Sequence, residues 1–84
     1  MQVKPFQKRA WAKVFEREDI QKIVEASKTP ERPNGIHKFS ISRAYHSGKM
    51  TETTYEVMKK YFDKKIADKI AELKSVIKTL EEKE

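Results

Sequence analysis

Residues 37–49 read "HKFSISRAYHSGK", and the fold turns on how this stretch is taken. It is short and basic, it carries small hydroxyl residues, and a single isoleucine stands at its centre. As a helix over 38–46, it puts Ile41 and Tyr45 four residues apart on one face with Ala44 beside them, a face that can rest on a core. Lys38, Phe39, Ser42, Arg43 and His46 then fall on the other side. Ser47-Gly48 stops the helix, since Gly48 can take the left-handed conformation that closes a C-terminus.

Moving outward, "TPERPNG" at 29–35 is the clearest non-helical punctuation in the chain. Pro33 disfavours helix at Arg32, and Asn34-Gly35 is a strong turn signal. Before it lie two helical stretches. Pro5 suits a first helical position, and Phe6, Ala10, Trp11, Val14 and Phe15 follow helical spacing onto one face. Ile20, Ile23 and Val24 form a second stripe, with acids early, where they complement the helix dipole. The cluster from Glu16 to Asp19 is the expected break between them.

After the opening stretch there is neither Gly nor Pro from Thr51 onward. Thr53 and Glu56 are spaced as a capping box. Tyr55, Met58, Phe62 and Ile66 line one face. Ile66, Ile70, Leu73, Ile77 and Leu80 then step by 4, 3, 4 and 3, a heptad seam. A helix over 53–82 runs roughly 45 Å at 1.5 Å per residue. A chain of 84 residues supports one small domain too narrow to bury all of that. The seam either pairs with a second copy or packs on the helices at 6–27, and its heptad steps favour pairing. The expected fold is therefore all-α: a helical region over 1–52, and a long C-terminal helix over 53–84 as the dimerisation element, pairing as a dimeric coiled coil, in one domain overall.

Charge narrows the function. The net charge is +6, and the excess is clustered. Residues 1–13 hold Lys4, Lys8, Arg9 and Lys13 and no acid. Residues 27–49 hold Lys28, Arg32, Lys38, Arg43 and Lys49 against Glu31 alone. From residue 50 onward eight lysines balance eight acids. Two basic blocks in the first half suit a polyanion such as nucleic acid, with plain solubility as the bland alternative. On the outward face of 38–46, Arg43 can pair bidentately with guanine, Ser42 can donate or accept, and Phe39 can touch a thymine methyl. Ser40 and Lys49 can hold phosphates and fix the register. Lys8, Arg9 and Lys13 are further candidates for phosphate contact, although such a run is more often a solvated face.

Other chemistries lack support. There is no cysteine, hence no disulfide or thiolate site. His37 and His46 lack the spacing of a metal pair. With only Gly35 and Gly48, no Gly-rich phosphate loop exists. No local signature gathers a nucleophile and base, and Trp11 and Phe15 read as core. We expect no enzyme activity, no cofactor, no metal and no small-molecule ligand. No run approaches a membrane span and no signal-peptide core appears, so no membrane partner and a cytoplasmic location are expected.

The stretch 37–58, "HKFSISRAYHSGKMTETTYEVM", resembles the recognition helix and following helix of helix-turn-helix regulators of the lactose-repressor and lambda Cro types. The resemblance lies in Ser40 to Ala44, Tyr45-His46, Gly48, and Thr51-Glu52 with Thr54; Gly35-Ile36 resembles the turn before such a helix. It implies a buried Ile41, base-facing Lys38, Phe39, Ser42 and Arg43, and a backbone-facing Ser40. It further implies a homodimer on double-stranded DNA, reading half-sites about one helical turn apart. The motif needs a supporting helix and a short turn, yet "KTPERPNGI" follows the natural support at 19–27. That segment is either an insertion in the turn or a short support of its own. The expected function is sequence-specific DNA binding as a transcriptional regulator. The second candidate is a non-catalytic adaptor or inhibitor that acts through the amphipathic C-terminal helix.

Overall fold

The computed structural model describes residues 2–82, which form four helices: α1 (Pro5–Val14), α2 (Asp19–Ala26), α3 (Lys38–Ser47) and α4 (Glu52–Glu82). The opening stretch is helical, and the chain is all-α.

The break between α1 and α2 falls at 15–18, as the acidic cluster led us to expect, and Asp19 makes it. Its Oδ2 accepts the Glu16 N–H at 2.8 Å while its own N–H donates to the Glu16 carbonyl at 2.9 Å. Asp19 is fully buried, so it is not the surface dipole partner its position suggested. Tyr61 donates to Oδ1 at 2.5 Å and Lys65 to Oδ2 at 2.6 Å. Lys65 also reaches Glu16 at 3.3 Å. This cluster ties the α1–α2 turn to α4.

The core is Val3, Trp11, Ile23, Val24, Ile41, Ala44, Met58 and Phe62. Full burial of residues such as Phe62 and Ile23 contributes about 1.5–3 kcal/mol each. Trp11 stacks on Phe62 with centroids 4.9 Å apart, and Phe15 stacks on Tyr45 at 4.2 Å. Two residues assigned to the apolar face of α1 are outside: Phe6 is 61% exposed and Ala10 is also exposed. The inward line is 7, 11 and 14, and Gln7 takes the place beside α4, donating to the Tyr55 hydroxyl at 2.9 Å.

The α2–α3 connection, residues 27–37, contains no helix. Two proline-led turns follow one another. Thr29 and Arg32 exchange both backbone hydrogen bonds, and Gly35 N–H donates to the Arg32 carbonyl at 2.9 Å. Pro30 and Pro33 occupy second turn positions, where their fixed φ is already suitable. Buried Ser27 clasps the segment: its hydroxyl donates to the Val24 carbonyl and accepts the Ile36 N–H, both at 2.7 Å. Gly35 has φ +73°, and a Cβ there would sit 2.5 Å from the Val24 carbonyl oxygen. Glycine is required on both counts.

α4 starts one residue after Thr51, not at the Thr53 cap its sequence suggested. Thr51 Oγ1 accepts the Thr54 N–H at 3.2 Å, and Thr54 is buried and so cannot serve an exposed first turn built on Thr53. The helix has 31 residues and accounts for the elongated envelope of 53 × 29 × 19 Å. Its first half carries Met58 and Phe62 into the core, with Ile66 partly buried at the edge. Beyond that, Ile70, Leu73, Val76, Ile77 and Leu80 are 47–62% exposed. Of the seam, only Ile66 packs against the core; from Ile70 on it does not pack on the helices at 6–27.

Candidate nucleic-acid interface

Two acid-free stretches of the sequence, 2–15 and 32–51, meet at the C-terminal end of α3. Val3 N–H donates to the Gly48 carbonyl at 2.8 Å, and Gln2 and Lys49 form an antiparallel bridge. Lys8 Nζ donates to the His46 carbonyl at 2.9 Å. That contact places a cation on the negative end of the α3 dipole. The segment ahead of α1 and α1 itself thus bring the first basic block to the second.

The orientation of α3 follows from its inward residues. Ile41 and Ala44 are buried, and Tyr45 is wedged between Phe15 and Phe62. Gly48 closes the helix at φ +77°, its N–H on the Ala44 carbonyl at 2.8 Å. At the other end His37 is the cap, and its Nδ1 accepts the Phe39 N–H at 3.2 Å. This cap was not read from the sequence, because histidine is an uncommon N-cap.

Lys38, Phe39, Ser40, Arg43, His46 and Ser47 are exposed on α3, and Lys49 is exposed just beyond it. Ser42 is only half exposed and stands at the edge of this face, while Ser40 and Ser47 lie within it. Phe39 is 65% exposed, with the His37 ring 5.2 Å away and Lys38 Nζ 5.4 Å from its centroid. An aromatic ring beside a lysine cation can meet the face or methyl of a base. Arg9 and Lys13 are exposed on α1, which leaves Lys8 as the α1 cation that reaches α3.

Ion pairing separates this surface from the rest. The salt bridges among the described residues are Lys28–Glu25, Lys59–Asp63, Lys65–Glu16, Lys65–Asp19 and Lys69–Glu72. None uses Lys4, Lys8, Arg9, Lys13, Lys38, Arg43 or Lys49. A groove of about 640 Å³ between α2 and α4 has a mixed rim instead, with Lys22, Lys60 and Lys64 beside Glu56 and Asp68.

The α2–α3 connection is longer than the three or four residues of a helix-turn-helix turn, and residues 28–36 form no short supporting helix. The connections of the motif's length are 15–18 and 48–51. α2 still backs α3, through Ile23 and Val24 in the shared core.

Among the described residues no group of three or more metal-ligating side chains occurs, and no helix is long and apolar enough to cross a membrane. No protein-family model, no curated protein and no solved structure matches this chain.

Proposed function

We propose that this chain binds double-stranded DNA with sequence preference, with α3 entering the major groove and the cations around its C-terminus on the flanking phosphates. The observation that carries this reading is the meeting of the two acid-free stretches around an exposed helix whose cations engage no carboxylate among the described residues. Arg43 is central on that face and suits a guanine edge; Phe39 suits a thymine methyl. Lys8 and Lys49 suit phosphates at one end of the helix. The role is that of a regulator acting as a dimer, without catalysis.

The test is selection from a random duplex library followed by a salt titration of the winner. Arg43→Ala is expected to cost about 1–3 kcal/mol and to relax one base position. Lys49→Ala should weaken all sequences alike and lower the salt slope by about 1. An enriched sequence bound equally well by Arg43→Ala sinks the assignment of α3. A steep salt slope with no enriched sequence reduces the function to non-specific binding.

A second reading, a protein-interaction module, is favoured by the bare apolar stripe of α4. No DNA binding at low salt, together with a stable complex with another protein, would establish it.

A further inference from the structure

We propose that residues 68–82 of α4 pair with the same residues of a second copy in the antiparallel sense, so that two bodies sit at opposite ends of a two-helix rod. Only the consequence for DNA spacing, given last, rests on the DNA-binding reading.

The bare residues are the continuation of a covered stripe. Met58 and Phe62 are fully buried, Ile66 is half-buried, and Ile70, Leu73, Ile77 and Leu80 are exposed along the same side of one helix. What covers the first part is α1 together with α2, and α1 marks how far the cover runs. Gln7 bonds Tyr55, Trp11 stacks on Phe62, and Glu16 reaches Lys65, so α1 and the turn after it climb α4 from Tyr55 to Lys65. A parallel partner would have to carry its own α4 up that same track, where α1 already lies. An antiparallel partner leaves past residue 82 and meets no such obstacle.

The pattern of the stripe selects a second copy. The positions 70, 73, 77 and 80 are spaced 3, 4 and 3, which reads the same in both directions about residue 75. A two-fold interface must be self-complementary, and this one is. Ile70 meets the other Leu80 and Leu73 meets the other Ile77, so every layer joins one isoleucine to one leucine. Val76, 56% exposed, has no place in the heptad steps. At the axis it faces its own copy. The two Lys74 also approach there, and as exposed long side chains they can point apart at small cost. With Asp68, Glu72, Glu81 and Glu82 against Lys69, Lys74 and Lys78, the segment is close to neutral and does not repel itself.

The experiment has two readouts, both taken without DNA. Sedimentation equilibrium over a wide concentration series should show a monomer–dimer equilibrium that Leu73→Glu abolishes, with the thermal transition of the body unchanged. For orientation, Asp63→Cys takes a spin label on the exposed side of α4. Twelve residues from the axis, two such labels stand about 36 Å apart along an antiparallel rod, and within about 20 Å across a parallel one. A monomer at every concentration, a trimer or larger assembly, or a label distance within the parallel range overturns the proposal. If it holds, Met58 of each body lies about 26 Å from the axis at 1.5 Å per residue, so the bodies are about 51 Å apart. Half-sites selected from a duplex library are then separated by more than the single turn of DNA expected for adjacent heads.

Discussion

The two halves of α4 carry the same apolar periodicity and have opposite fates. From Thr54 to Phe62 the stripe is buried under α1 and α2; from Ile70 to Leu80 it lies open. Periodicity therefore settles that a helix has a face and leaves open whether the chain itself supplies a cover. Here the chain has two short helices and α3 to offer, and they reach only as far as Lys65. Energetic weight should follow the cover, and substitutions along one helix can test that.

The largest effect is expected at Phe62, fully buried against Trp11. Phe62→Ala should cost about 3–5 kcal/mol in denaturant unfolding. A loss below 1 kcal/mol would break the comparison at its covered end. Next comes Asp19, which holds the covered half through Tyr61 and Lys65. Asp19→Ala leaves Lys65 without its buried partner and should cost about 3 kcal/mol.

The same cluster sets a pH profile. Burial pushes the Asp19 carboxyl up, but the hydrogen bonds from Lys65, Tyr61 and the Glu16 N–H outweigh it and hold it below the usual range. Its folded pKa thus lies below the unfolded value of about 3.9. Its contribution is present above that value and is lost as pH falls through the folded one. Tyr61 is pushed up by burial and by Asp19. Lys65 is pulled down by burial and up, on balance, by Asp19 and Glu16. Their contributions are full below their unfolded values of about 10 and are lost as pH rises through the folded ones. Thermal melts across pH should show a plateau through neutrality that falls on both sides, and Asp19→Asn should flatten the acid side.

The smallest effect belongs to the bare half. Leu73→Ala, at a position 62% exposed, should shift the monomer's stability by less than about 0.5 kcal/mol. A larger loss, measured at concentrations too low for self-association, would mean the body reaches further along α4 than Lys65.

Much of this was legible beforehand where one residue type has one job. Pro5 opens α1, Gly48 closes α3 and Ile41 is buried, because each answers to a local rule. Elsewhere a tertiary partner decided. Gln7 displaced Phe6 from the inward face because Tyr55 offered it a hydrogen bond. Thr51 capped α4 in place of Thr53 because Thr54 is needed inside. Asp19 looked like a dipole residue and is a buried anchor, since nothing local connects it with Tyr61 and Lys65 more than forty positions away. The candidate interface was half legible. The basic blocks stand out in the sequence, whereas their meeting depends on the Gln2–Lys49 bridge and on Lys8 at His46, which no spacing rule supplies.

The stack of Trp11 on Phe62 makes the covered half visible on its own. Trp11 is the sole tryptophan, 3% exposed and stacked on Phe62 within the covered half of α4, ahead of the bare stripe. Its emission reports the body and is blind to the rod, while far-ultraviolet dichroism counts helical residues in both. One sample heated once under the two optical probes will show whether the halves of α4 melt as a unit or in turn.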